Sequence, residues 1–411
     1  MGGGQIISGL EDEEAMSATP LNIPSTNSRS NPDHSHTGAT AEIVAQVLDE
    51  ERFSDLVGRP VKATRIRVKP LVSVVAGFAD KETGTPQGWA RFLWPISYPK
   101  ARKAERKAAK FGGTAVSKPL SDGILLQTGE FITDPRLAEH LNRAFPAGLS
   151  GDILRYNPLR RIVIHRGEDV IRVSAHATQL SRSLYDFLAQ RLTVSPRLDA
   201  ADDPHISILR FVGDTDLSAV QDDRATYRAG RLLATLHAVS GQLPETHVKT
   251  LPVWDPAGGA AQATVHAGVL DALDPELAGR LRGITDRLPR TPAVPPVLAH
   301  GDASPDQFLL HRASGALWLT DFDRLCLAPV GFDIGSYLAA AGPESADSLL
   351  EGYRDGWRGH RRAPVPDLST EALRPMILHS LLLRVADPLR RADPAWRESM
   401  HNRIDRIEEL L

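Results

Sequence analysis

His300-Gly301-Asp302-Ala303-Ser304-Pro305-Asp306-Gln307 leads into an apolar run from Phe308 to Arg312, a turn at Ala313-Ser314-Gly315, a second run from Ala316 to Thr320, and then Asp321-Phe322-Asp323. Two short apolar runs around such a turn read as a β-hairpin, with Gly315 available for the positive φ these loops require. A three-residue turn centred on Ser314 pairs Arg312 with Ala316, and stepping outward puts Leu309 opposite Leu319 and Gln307 opposite Asp321. Side chains alternate faces along a strand, so this register expects the Gln307 amide and the Asp321 carboxylate to converge at the open end. Hard oxygen donors in that place suit Mg²⁺ shared with triphosphate oxygens. Asp302 stands on the loop entering the same end, where a carboxylate can accept the proton of an acceptor hydroxyl or orient it for in-line attack on a phosphoryl group. The competing reading is a structural turn with two surface acids. His-x-Asp alone would not separate the two; the spacing to Gln307, the hairpin and the following Asp-Phe-Asp together do.

The rest of the chain gives this hairpin a setting. At 411 residues it suits two or three packed subdomains with a cleft between them. A formal charge of −3 offers no nucleic acid a basic surface, which leaves a small molecule as the expected partner. No run reaches the roughly 18 apolar residues a membrane-spanning helix needs, so no membrane partner is expected. The one cysteine, Cys326, precludes an intramolecular disulfide framework and suits a reducing, cytoplasmic setting.

Residues 1–38 mix Gly, Ser, Asn, Pro and acids with little apolar periodicity and read as a disordered tail. Ile43, Val44, Val47, Leu48 and Leu56 then recur at helical spacing, predicting a helix over Glu42 to Val57 that Gly58 and Pro60 end. An internal echo follows. Ile66-Arg67-Val68-Lys69-Pro70-Leu71 resembles Leu154-Arg155-Tyr156-Asn157-Pro158-Leu159, and each precedes a β-rich run, implying two β units of similar build. The first unit falls in an N-terminal cap at 39–150, and the second in a small β-rich lobe at 151–213. A helix is predicted over Thr178 to Leu192, another over Arg224 to Val239, and a large helical lobe with one hairpin fills 214–411, including a helix from Leu373 to Leu389.

With these residues in view, the chain resembles the aminoglycoside phosphotransferase and choline kinase superfamily over roughly residues 150 to 400. That family's loop reads His-Gly-Asp with an Asn five positions after the Asp and a metal-binding Asp downstream. The resemblance implies an α+β, two-lobed protein-kinase-like fold, here with the extra cap. It implies Asp302 as catalytic carboxylate, Asp321 as a metal ligand, and Gln307 in place of the ligating Asn, keeping the amide oxygen but adding a methylene. Asp333 in Gly331-Phe332-Asp333-Ile334-Gly335 takes the place of the Asp that braces the catalytic loop, with His300 also structural. The helix bearing Leu236-His237 is read as packing. Arg172 stands where the family has a phosphate-gripping strand Lys. Asp186 is the candidate for its acidic partner, and Arg160 or Arg161 would meet phosphates from a turn that lacks glycine. Asp323 is a possible further contact to metal or substrate.

The function this implies is a Mg²⁺-dependent kinase moving the γ-phosphate of ATP or GTP to a hydroxyl of an aminoglycoside, sugar or amino alcohol. Two alternatives come from other classes. A nucleotide-binding pseudokinase is motivated by Arg172 and the glycine-free turn, and a metal-dependent phosphoesterase by His300, Asp302, Asp321 and Asp323. Glu344, Asp347, Glu351 and Arg384 are candidates to line the acceptor cleft.

Overall fold

A computed structural model describes residues 34–178, 180–198, 203–289, 294–360 and 364–411. Most of the expected tail, positions 1–33, lies outside the described residues, and helix already begins at His34. Where the apolar spacing predicts one helix, the chain forms two, α1 (His34–Leu48) and α2 (Glu50–Val57). Asp49 makes the break: its side chain accepts from the Glu51 and Arg52 N–H groups, both at 3.1 Å, and so starts a new helix. Gly58 closes α2 in the left-handed conformation, at φ 81°.

A first antiparallel sheet follows from β1 (Val61–Lys69), β2 (Ser73–Asp80), β3 (Pro86–Leu93), β4 (Val116–Pro119) and β5 (Leu125–Gly129), in the order β1-β2-β3-β5-β4. Helices α3 (Tyr98–Lys110) and α4 (Ala138–Ala144) flank it in sequence. A second antiparallel sheet, β6 (Asp152–Asn157), β7 (Arg161–Arg166), β8 (Asp169–Ser174) and β9 (Ile206–Arg210), runs in sequence order. Between β8 and β9 lies α5 (Arg182–Ala189), shorter than its prediction because the Ser181 side chain caps it, accepting from the Leu184 N–H at 3.2 Å.

The sequence echo is also a structural one. Lys69 pairs with Ser73 and Asn157 with Arg161, so each hairpin turns through the same three places, with Leu71 (φ 56°) and Leu159 (φ 61°) both left-handed after a proline. The second turn leans on the first sheet. A β-carbon at Gly77 would lie 3.1 Å from the Pro158 ring, so glycine there permits the close approach.

The remainder runs β10 (Thr215–Asp216), α6 (Asp223–Ala238), α7 (Glu245–Val248), α8 (Gly258–Leu270), α9 (Pro275–Thr285), β11 (Val297–Ala299), β12 (Phe308–His311), β13 (Ala316–Leu319), β14 (Cys326–Ala328), α10 (Gly331–Ala341), α11 (Ala346–His360), α12 (Thr370–Arg384), α13 (Asp387–Arg390) and α14 (Trp396–Glu409). Besides the expected hairpin β12-β13, β10 pairs with β12 and β11 with β14, two short ladders the sequence reading lacks. The helix predicted from Leu373 to Leu389 is divided between α12 and α13.

Burial explains how the parts hold together. Ile43, Phe53, Val74 and Phe92 of the N-terminal unit share one apolar core with Leu277, Leu382, Trp396 and Ile404 of the C-terminal helices. Trp89 and Leu141 share another with Tyr156, Ile162 and Val173 of the second sheet. Each such side chain adds about 1.5–3 kcal/mol when fully buried, so the cap is bonded to both lobes by packing. The architecture is the α+β, two-lobed protein-kinase-like fold with an N-terminal cap.

Candidate active site

The hairpin register differs by one residue from the expectation. His311 pairs with Ala316 and Phe308 with Leu319, leaving a four-residue turn, Arg312 to Gly315. Side-chain chemistry decides this. The Ser314 hydroxyl lies 2.8 Å from His311 Nδ1 and accepts the Ala316 N–H at 3.2 Å, while Gly315 (φ 67°) donates its N–H to the His311 carbonyl at 2.7 Å. A one-residue slip moves a side chain to the other face of the sheet, so strand pairing does not align Gln307 with Asp321. The partner of Gln307 is Thr320, whose N–H donates to the Gln307 carbonyl at 3.0 Å. Asp321 comes next and leaves the strand in the left-handed conformation, φ 61° and ψ 57°, which is sparsely populated for a residue with a β-carbon.

What ties the loop from His300 to Gln307 to this corner is His300, buried at 0% exposure. Its Nε2–H donates to the Thr320 carbonyl at 2.8 Å, and its Nδ1 accepts the Asp302 N–H at 3.3 Å, so one imidazole spans from the loop aspartate to the residue before Asp321. Behind it, Asp333 accepts the N–H groups of His300 (2.7 Å) and Gly301 (2.9 Å) and the Nε2–H of His237 (3.0 Å). His237 Nδ1 in turn accepts from the Tyr353 hydroxyl at 2.9 Å. Burial pushes the Asp333 carboxyl up, yet the hydrogen bonds from His237 and the His300 N–H, with both imidazoles close by, bring it below the ordinary carboxylate range. Gly301 is required by space as well as by its φ of 83°: a β-carbon there would collide with the Arg324 carbonyl.

On the cleft side the carboxylates meet arginines. Asp302 is bonded to Arg384, and Arg324 lies 3.7 Å from its other oxygen. Asp321 receives Arg161 at 3.0 Å and Arg172 at 3.2 Å, and the same two guanidiniums reach Asp323. Burial alone would raise the Asp321 carboxyl; Arg161 and Arg172 outweigh it and hold the group at about 2. Arg172 is itself pulled below its usual value by burial, with Asp321 opposing.

These ion pairs correct one expectation. Asp186 is not brought to Arg172; it sits on α5, 3.9 Å from Arg182, one helical turn away, while the acids that Arg172 meets come from the other lobe. Arg160 projects near Arg390, Arg324 and Arg161 and meets no acid among the described residues. Of the residues expected along the acceptor cleft, Glu344 and Arg384 line a cavity of about 1190 Å³, and Asp347 and Glu351 do not. Cys326 is an unreactive buried thiol, pushed up to about 12 by burial.

Gln307 bears on whether a metal fits. The residue is 8% exposed, and its amide makes no hydrogen bond to any described residue, so its oxygen is free to accept. The amide oxygen and the carboxylates of Asp321 and Asp323 are hard donors of the kind Mg²⁺ takes, the two carboxylates being shared here by Arg161 and Arg172.

The sequence reading named Arg384 for the cleft but missed the other arginines of the cavity, Arg65, Arg155, Arg391, Arg403 and Arg406. One signal was present: Arg155 occupies the same place in the echo as Arg67.

Residues 153–365, more than half of the chain, match the model of the phosphotransferase enzyme family, APH. No curated protein matches the sequence. Among solved structures, the GDP and kanamycin complex of APH(2")-IIia is similar at 19% identity and a TM-score of 0.46, covering 66% of this chain and 97% of the other. A choline/ethanolamine kinase family protein from Mesorhizobium loti is similar at 16% identity and a TM-score of 0.45, covering 68% and 95%. The macrolide 2'-phosphotransferase MphH from Brachybacterium faecium is similar at 19% identity and a TM-score of 0.43, covering 66% and 98%.

Proposed function

Because the chain belongs to the phosphotransferase enzyme family, we propose that it moves the γ-phosphoryl group of ATP or GTP to a hydroxyl of a small polar acceptor, with Asp302 as catalytic carboxylate. The acceptor oxygen forms the new bond to the γ-phosphorus as the bond to the β–γ bridging oxygen breaks. The hydroxyl proton passes to Asp302, and the nucleoside diphosphate leaves with the electron pair. The observation that carries this reading is the imidazole of His300, bonded at one nitrogen to the Asp302 N–H and at the other to the Thr320 carbonyl. It links the Asp302 loop to the Asp321 corner, which supports the reading that these two carboxylates act together.

Gln307 and Asp321, with Asp323 as a further donor, are the residues that would hold Mg²⁺, which when bound neutralises charge on the triphosphate. Arg172, Arg161 and Arg160 would grip the triphosphate, since guanidiniums fork phosphate oxygens as readily as carboxylates. Before nucleotide arrives, Asp321 and Asp323 hold Arg161 and Arg172 inside the cleft, so those cations are kept in place for phosphate. Acceptor binding must likewise draw Arg384 off Asp302. The cap over 39–150, the small lobe over 151–213 and the helical lobe over 214–411 are the units between which this cleft opens.

One observation favours a second reading, a nucleotide-binding pseudokinase. All three acids of the site, Asp302, Asp321 and Asp323, are engaged by arginines. Release of ADP or GDP from purified protein with Mg²⁺ and a panel of hydroxylated acceptors separates the two: a kinase turns over, whereas a pseudokinase shows only a nucleotide-dependent rise in melting temperature. Undiminished phosphoryl transfer by Asp302→Asn would overturn the assigned mechanism.

A further inference from the structure

The cavity of about 1190 Å³ adjoins the catalytic loop, since Pro305, Asp306 and the Asp302-bound Arg384 all line it. Its cations come from every part of the molecule: Arg65 from β1 of the cap, Arg155 from β6 of the small lobe, and Arg384, Arg391, Arg403 and Arg406 from α12 to α14 of the helical lobe. Three of these are accounted for. Arg384 holds Asp302, Arg403 donates to the Arg384 carbonyl at 2.6 Å, and Arg406 donates to the carbonyls of Ala339 and Leu338 at 3.1 and 3.2 Å. The side chains of Arg65, Arg155 and Arg391 make no hydrogen bond or ion pair with any described residue.

Their proximity is costly. Burial together with repulsion from Arg155 and Arg391 brings the Arg65 guanidinium down to about 10, and Arg155 is lowered by burial and by Arg161. Acids on the same wall offset this only in part. Asp222 is used in capping α6, accepting the Ala225 N–H at 2.9 Å; Asp306 accepts the Ser304 hydroxyl; Asp387 accepts from Arg390 at 3.4 Å; Asp223 and Glu344 are exposed. Asp387 attracts Arg65, and Asp321 and Asp306 attract Arg155, but no acid bonds to any of the three, and guanidiniums gathered in a cavity without a hydrogen-bonded partner are complemented by an anion.

We propose that this cavity is the acceptor site and that Arg65, Arg155 and Arg391 bind a phosphate or carboxylate on the acceptor, so the substrate class is an anionic hydroxy compound rather than a polycation. The proposal rests on the kinase reading for its hydroxyl and on the arginines for its anion. It also gives the cap a part in recognition, because Arg65 reaches the site from β1. Arg161 and Arg172, bonded to Asp321 and Asp323, remain the nucleotide's share of the positive charge.

The test uses the full chain with its nucleotide site filled by saturating MgADP, titrated calorimetrically with glucose 6-phosphate, gluconate, inorganic phosphate, glucose and glucosamine, alongside nucleoside diphosphate release with ATP and GTP on the same sugars. The expected result is that the anionic probes bind at least tenfold more tightly than glucose or glucosamine. Arg65→Gln with Arg391→Gln should weaken them at least tenfold, leave the nucleotide KM within twofold, and leave the melting temperature unchanged or raised because repulsion is relieved. Preference for glucose or glucosamine, loss of anion binding when MgADP is added, a raised nucleotide KM in the double variant, or no anion binding sensitive to that variant would each overturn the proposal. Anion binding that depends on Arg65 and Arg391 without turnover of any acceptor supports the cradle and counts against the kinase reading, so the two failures are distinguishable.

Discussion

Asp333 and Asp321 are two carboxylates either side of the loop that carries Asp302, both held below the ordinary range, and they are held by different means. Asp333 is 0% exposed and accepts from two backbone N–H groups and His237, all close in the folded lobe. Asp321 keeps 22% of its side chain in solvent and accepts from two guanidiniums that reach across from the second sheet. The first arrangement has no acceptor to spare for a ligand and can only hold shape. In the second, solvent reaches both sides, which is what the proposed exchange needs: a phosphate taking the guanidiniums and a cation the carboxylate. A desolvated, satisfied network holds shape, whereas a part-exposed ion-pair cluster leaves its charges open to exchange.

The largest effect should come from breaking the scaffold. Asp333→Ala leaves buried donors unmatched, and we expect a loss of about 3–5 kcal/mol in denaturant unfolding together with loss of activity. Asp302→Asn tests the opposite combination: kcat should fall about 10²- to 10⁴-fold in a diphosphate-release assay while the melting temperature stays nearly constant. A scaffolding role for Asp302 would reverse that order.

On the exchangeable side, Arg172→Gln with Arg161→Gln should change stability by no more than about 1 kcal/mol per pair, because these pairs are part-exposed. The nucleotide KM should nonetheless rise roughly tenfold, the loss of one or two charge-assisted contacts. An unaltered KM would remove these arginines from phosphate binding. The smallest effect concerns pH. The Asp321 carboxyl lies at about 2 in the folded chain against 3.8 unfolded, so its stabilising contribution is complete above about pH 4 and is lost as pH falls toward 2. The difference in unfolding free energy between the native chain and Asp321→Asn, on the order of 2 kcal/mol at neutral pH, should therefore close across that window in denaturant unfolding.

Much of this was legible in the sequence, and the failures have local physical causes. The hairpin was visible from its two apolar runs and Gly315, but its register was not, since Arg312 is compatible with strand or turn until the Ser314 hydroxyl settles on His311 and Ala316. The two helices before the first sheet read as one because apolar spacing continues through Asp49, whose capping bonds outweigh that spacing. Asp186 was matched to Arg172 by analogy of position. In the fold, Arg172 lies against Asp321 and Asp323, 149 and 151 residues away.

By itself the sequence determined the features whose determinants lie close together along the chain: the His-Gly-Asp loop, the apolar strands of the hairpin, the helices, and the repeated Pro-Leu turn. Only the tertiary structure decided which charges face one another. Arg65, Arg155 and Arg391 stand on three elements far apart in sequence, and no periodicity or local propensity relates them. Packing of the cap against both lobes brings them to one cavity, and electrostatic energy depends on distance through space, which the order of residues does not specify.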